Sequence, residues 1–176
     1  DYFLEFNGLR KSPLVTSTAY SRDGGALAID DYRRTWALLG RTQAPRKESI
    51  FFLIDFSTFQ ASLDLLQLTT RDVAETQATL FTGELESIWG VPIYMSGFMD
   101  LSNTAGKIDQ DTPGNNTKGQ ILAVYAPYWA FTYKRNITVE MLRSPDSETF
   151  EFYGSMRFSL TRRSESASAI SYNLTV

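Results

Sequence analysis

Polar and apolar residues alternate through much of the last third of the chain. In FTYKRNITVEMLR, residues Phe131, Tyr133, Ile137, Val139 and Met141 fall on one side of an extended strand. Thr132, Lys134, Asn136, Thr138 and Glu140 fall on the other, and Arg135 is the single exception on the apolar side. The pattern returns from Glu148 to Leu160. Phe150, Phe152, Met156, Phe158 and Leu160 share one face; Thr149, Glu151, Tyr153, Ser155, Arg157 and Ser159 share the other. Between the two runs stands SPDSE, a turn-forming segment. The pattern predicts a long antiparallel hairpin. Thirteen residues of strand reach about 43 Å at roughly 3.3 Å each, and a compact globule of this length is about 40 Å across. The ribbon therefore spans or overhangs its own domain, and its apolar face needs a cover.

The patterning upstream differs. Residues 1–28 read as an irregular lead-in ending in the turn chemistry of Asp23-Gly24-Gly25. A short helix follows, with Asp30 as its expected cap, Ile29, Tyr32, Trp36 and Leu39 on one face, and Gly40 at the position after its end. IFFLI, Ile50 to Ile54, is a continuous apolar run of strand length, as expected of a strand buried on both faces. Ser57 and Gln60 have capping-box spacing ahead of a helical repeat of Phe59, Leu63 and Leu66. TTRDVAETQATLF admits either a helix or a long loop. The stretch GELESIWGVPIYMS sets Trp89, Gly90 and Pro92 immediately before a short apolar run. Pro92 cannot donate a ladder hydrogen bond, so this is not an ordinary central strand. DLSNTAGKIDQDTPGNNTKGQ reads as an exposed loop.

Composition narrows the chemistry. The chain has 176 residues, enough for one domain or two small intertwined ones, and opens at Asp1, which suggests a fragment of something longer. It has no Cys and no His, so disulfides, thiolate chemistry and every His-based nucleophile pair are excluded. A net charge of −3 gives no overall case for nucleic-acid or anionic-membrane binding. No apolar run approaches the length of a membrane span.

Few motifs carry chemistry. Asp109 to Asn115 partly matches a calcium loop but lacks its third ligand, its glycine and its terminal Glu, so a solvated loop is the better reading. Asp30-Asp31 sit where a helix N-terminus favours negative charge. The sequons at Asn115, Asn136 and Asn173 are expected by chance in a Ser/Thr-rich chain. YAPYWAFTY, Tyr125 to Tyr133, could stack on sugars or bases, although a basic groove is missing and core or subunit-contact aromatics suit it better.

The order of these pieces resembles the C-terminal part of the HK97-fold major capsid proteins of tailed bacteriophages. The family's phrase of apolar residue, Gly, Val or Leu, Pro and Val or Ile stands here as Ile88-Trp89-Gly90-Val91-Pro92-Ile93, with Ser96 after it. FNGLRKSPLV is similar to the family's Gly-Leu segment, and SETFEFYGSMRFSLTRRSESASAI to its return strand and small-residue close. The resemblance implies an α+β fold: a mixed sheet with flanking helices, the axial domain, plus a long hairpin of the peripheral domain. It implies a lead-in over 1–25, an axial domain from 26–124 and 156–176, and a peripheral hairpin over 125–155. It implies a non-enzymatic structural subunit without cofactor, assembling into pentamers and hexamers around packaged double-stranded DNA, located in the virion capsid and assembled in the bacterial cytoplasm. Scaffolding protein, maturation protease and portal would be partners, and no membrane. Intersubunit contacts are expected at Arg135, Arg143, Ser144, Pro145, Asp146, Ser147, Glu148 and Thr149. The family's covalent cross-linking is not carried over, because Tyr153, Gly154 and Ser155 stand where an Asn would be sought. An encapsulin-type nanocompartment shell, enclosing protein cargo, is the alternative. An aromatic-surface carbohydrate- or nucleic-acid-binding module is the reading from a different class.

Overall fold

In the computed structural model the described residues are 8–65, 87–144 and 149–176. They form a six-stranded mixed sheet with two helices, and a separate two-stranded ribbon. Strand β1 spans Ser21–Asp23, helix α1 Ile29–Leu38, strand β2 Ile50–Ile54, and helix α2 Phe56–Leu63. Strands β3 (Ser87–Ile88), β4 (Val91–Met95) and β5 (Lys118–Tyr125) follow. The ribbon is β6 (Trp129–Ser144) and β7 (Thr149–Arg162), and β8 (Ser168–Thr175) returns to the sheet. Sheet order is β1-β8-β5-β2-β4-β3. The β1–β8 and β2–β4 pairs are parallel; β8–β5, β5–β2 and β4–β3 are antiparallel.

The apolar run Ile50–Ile54 becomes a strand with both faces covered. Ile50, Phe52 and Ile54 point into the main core with Tyr32, Leu39, Ile121, Ala123 and Tyr125. Phe51 and Leu53 pack on the other side with Leu122, Val124, Met99 and Ile170. Strands flanked on both edges and covered on both faces have no polar alternation to show.

Helix α1 has the predicted face, with Tyr32 and Leu39 fully buried and Trp36 packed on the core. Gly40 takes φ 85°, as the position after a helix end requires. Its start differs from the expectation. Ala28, not Asp30, is the N-cap residue, and the Asp31 carboxylate accepts the Ala28 N–H at 2.9 Å. Asp30 points outward instead, paired with Arg33 and Arg34.

Helix α2 also starts one turn edge earlier than its capping-box spacing suggests. Asp55, not Ser57, is the cap; its carboxylate accepts the Thr58 N–H at 2.8 Å and the Thr58 hydroxyl. The same carboxylate accepts the Gln120 N–H of β5 at 3.3 Å. Asp55 is 2% exposed, so one buried acid ties the helix start to the sheet. Buried hydroxyls continue the connection: Tyr32 to Ser62 at 2.6 Å, and Thr35 to Ser171 of β8 at 2.7 Å.

The Trp-Gly-Val-Pro phrase is a two-residue hairpin turn. Ser87 pairs Pro92 and Ile88 pairs Val91, and Trp89 and Gly90 lie between at φ 52° and 76°. Positive φ at both central residues is the signature of the primed turn that matches strand twist. Pro92 is the second residue of its strand, ahead of the Phe52–Ile93 pair where β2 pairing begins. The lead-in is less irregular than expected: a single turn at Ser12–Thr16 and the edge strand β1 lie within it. The stretch from Thr69 to Phe81, which admitted helix or loop, lies outside the described residues.

Candidate interaction surface

The alternation in the last third gives the ribbon its register. Phe131 pairs Leu160, Tyr133 pairs Phe158, Met141 pairs Phe152, and Arg143 pairs Phe150. Cross-strand partners share a face. Phe131, Tyr133, Val139, Met141, Phe150, Phe152 and Phe158 therefore form one apolar surface. Register shifts between Tyr133 and Arg135, and between Arg135 and Thr138, insert extra residues in β6. The first shift resolves the one exception in the pattern. It sets Arg135 opposite Arg157, on the polar face. There its Nε donates to the Thr138 hydroxyl at 2.9 Å, and its guanidinium lies 3.5 Å from Glu140.

Nothing among the described residues covers the apolar side. Ile137 is 71% exposed, Phe152 69%, Val139 64% and Met141 62%. The aromatics contact one another within the ribbon: Phe131 and Tyr133 meet edge-on at 4.8 Å, and Phe131 and Phe158 at 5.3 Å. At roughly 3.3 Å per residue, the 16 residues of β6 extend about 50 Å. The ribbon is fixed at its base. Arg163 N–H donates to the Tyr128 carbonyl at 2.7 Å, and the Trp129 indole N–H to the Ala167 carbonyl at 3.0 Å. The Arg162 guanidinium donates to Ser12 at 2.8 Å and Ser17 at 2.5 Å.

The sequence-predicted contact residues divide. Arg135 lies mid-strand within the ion-paired polar face. Arg143 is near the far end, with its guanidinium 5.7 Å from the Phe150 ring. Ser144 and Thr149 form the last backbone pair. Pro145, Asp146, Ser147 and Glu148 lie outside the described residues. The stretch Tyr125 to Tyr133 does not form one stacking platform. Tyr125 is buried and meets Tyr128 edge-on at 4.8 Å, Trp129 is tied to Ala167, and only Phe131 and Tyr133 face outward on the ribbon.

A second exposed apolar group went unforeseen. Phe98 is 99% exposed, and Tyr94, Met95 and Phe56 are each more than half exposed at the same end of the sheet. Met95 stands opposite Ile54 at the close of the β2–β4 pairing, and Phe56 begins α2 just beyond. The signal was present in Gly97-Phe98, an aromatic on a turn with no periodic partner. Beside it is a cavity of about 650 Å³ bordered by Asp55, Met99, Asp100, Asp109 and Asn116. Two of its acids, Asp55 and Asp109, are occupied with structure. Asp109 accepts from Thr112 N–H at 2.9 Å and Asn115 Nδ2 at 3.0 Å, and the Asn115 bond holds its carboxyl below the usual range. The partial calcium-loop match is thus a self-bonded turn. No group of three or more potential ligands that could hold a metal occurs among the described residues.

No protein-family model and no curated protein matches the sequence. Solved structures do. A chain from the mature capsid of bacteriophage PhiM1 superposes with a TM-score of 0.65 at 12% identity, over 88% of this chain and 51% of that one. A chain of an encapsulin complex from Synechococcus elongatus gives 0.61 at 18% identity, over 94% of this chain and 60% of that one. A chain from Mycobacterium phage Che8 gives 0.57 at 16% identity, over 91% and 55%. The chain spans a little over half the length of the chains it resembles. At these identities the likeness is one of fold: the described mixed sheet and ribbon have the HK97-like shell architecture.

Proposed function

We propose that this chain, carrying the HK97-like shell fold, is the larger part of a structural subunit that self-assembles into a phage capsid. The observation that supports it most is the uncovered apolar ribbon face. Covering its half-exposed Phe, Met, Val and Ile residues is worth on the order of 10 kcal/mol before the cost of association. In this reading the six-stranded sheet with α1 and α2 is the axial part, packing around five-fold and six-fold axes. The ribbon is the peripheral part, and its far end, Arg143 to Thr149, meets neighbouring copies. Arg135, mid-ribbon on the polar face, contributes charge to contacts along its length. The enclosed cargo is double-stranded DNA held without sequence-specific contact. Scaffolding protein, protease and portal belong to the same assembly scheme, in the bacterial cytoplasm, and the role is non-enzymatic.

The encapsulin-type shell is the second reading, supported by a TM-score of 0.61 for the encapsulin chain, close to the 0.65 of the PhiM1 capsid chain. Electron microscopy of the full-length protein tests both. Closed icosahedral particles with pentamers and hexamers are expected. Nuclease-protected DNA in them sustains the capsid, and protein cargo without DNA sustains the nanocompartment. A protein that stays monomeric at high concentration overturns both.

A further inference from the structure

A second cavity, of about 420 Å³, opens between the lead-in and the loop ahead of β5. Arg10, Lys11 and Lys107 all border it, with Leu14, Val15, Gly106, Ile108 and Gln110. The two sides are held firmly. Arg10 and Lys11 enter the single turn Ser12–Thr16, closed by Ser12 N–H to the Gly8 carbonyl and Ser17 N–H to the Ser12 carbonyl. Lys107 sits on a loop folded around Asn103, whose side-chain oxygen accepts the Ala105 and Lys107 N–H groups at 2.9 and 3.1 Å. Gly106, at φ 74°, presses that loop onto the lead-in. A Cβ there would stand 2.9 Å from Leu14 and from Tyr172.

Lys11 and Lys107 have no close acid among the described residues, and Arg10 feels only Asp100, beyond ion-pair distance. Nη1 of Arg10 is closed off from water with no hydrogen-bond acceptor. Burial lowers the guanidinium from its ordinary value, opposed by the charge of Asp100. Three like charges around one concavity raise the local potential whatever the whole-chain balance. Asp55, Asp100 and Asp109 border the neighbouring cavity, and of these Asp100 acts on Arg10.

We propose that this cavity is a binding site for a phosphate-type oxyanion, held by Arg10, Lys11 and Lys107. A carboxylate would neutralise one charge of three; a phosphate carries more charge and offers acceptors to an Arg fork and two ammonium groups together. The assignment does not depend on the shell reading. Its source is either free phosphate or the phosphodiester backbone of a nucleic acid.

The test is an NMR titration of the chain with inorganic phosphate at fixed ionic strength, with acetate as control and a short DNA duplex as a further arm. Saturable shifts of the Gly106, Lys107 and Leu14 amides with phosphate but not acetate are expected. Lys11→Gln and Lys107→Gln, both at exposed positions, should each weaken binding about threefold and together about tenfold, with unchanged melting temperatures. Duplex DNA shifting the same amides at lower phosphate concentration identifies a nucleic-acid backbone, and response to phosphate alone identifies the free anion. No saturable shift through the millimolar range overturns the site. So does equal response to acetate, or undiminished affinity in the double variant.

Discussion

At Trp89 the backbone holds φ 52° in a residue with a bulky side chain, while Gly90 beside it takes 76°. Glycine adopts such angles freely; tryptophan is strained there by about 1 kcal/mol or more. Trp89→Asn keeps the turn and relaxes that strain, since Asn tolerates the left-handed region. It should raise stability by about 0.5–1 kcal/mol, read as a shift of the denaturation midpoint with unchanged slope. The turn at Gly90 was legible through the resemblance of the phrase to the capsid family, where a glycine at that place permits the turn. The strain at 89 was not, because it depends on a two-residue loop length fixed only by the pairing of Ser87 with Pro92. Asp55 is the opposite case. Its carboxylate serves the Thr58 N–H, the Thr58 hydroxyl and the Gln120 N–H at once. Asp55→Ala leaves those donors buried and unpaired, and should cost about 2–4 kcal/mol by chemical denaturation.

Among elements, what is legible depends on how local the determinant is. The ribbon was legible nearly to its ends because period two repeats over both strands; the bulge that moves Arg135 to the polar face was not, and only the pairing register shows it. Strand β1 was not: Ser21–Asp23 has no apolar residue and forms only because β8 offers a parallel edge. The α2 cap was misplaced by two residues because a local spacing rule sees Ser57 and Gln60 but not the distant β5 amide that Asp55 also serves. Helix α1 carries a pH-dependent tie to α2. Burial pushes the Tyr32 hydroxyl up to about 12 from its ordinary 10, with the Ser62 hydrogen bond opposing and Asp55 and Asp31 adding. The folded state then holds its proton more tightly than the unfolded chain. Its contribution of about 2–3 kcal/mol is complete below pH 10 and disappears as pH rises from 10 to 12. Urea denaturation of the wild type and Tyr32→Phe across that range should show the wild type losing more stability than the variant. At neutral pH the variant should be about 1 kcal/mol weaker, for the lost Ser62 bond.

For the whole molecule, stability and association separate in space. The core lies in the six-stranded sheet, while a row of exposed apolar residues runs along the ribbon. On the proposed shell role, a charge on the ribbon should stop assembly and spare the fold. Phe152→Asp is expected to leave the melting temperature of the chain within a few degrees. The same substitution in the full-length protein should abolish particles seen by electron microscopy. Strand order adds a constraint in time. β8 sits between β1 and β5 in the sheet, yet it is made last of the eight described strands. During translation the sticky ribbon leaves the ribosome before the sheet at its root can close. On the proposed shell role, a nascent chain passes through an interval with its apolar ribbon displayed and its foundation unfinished, when polysome neighbours are crowded together. Rapid docking of residues 168–175 is what limits that exposure, so slowing synthesis near this strand should favour aggregates over finished shells.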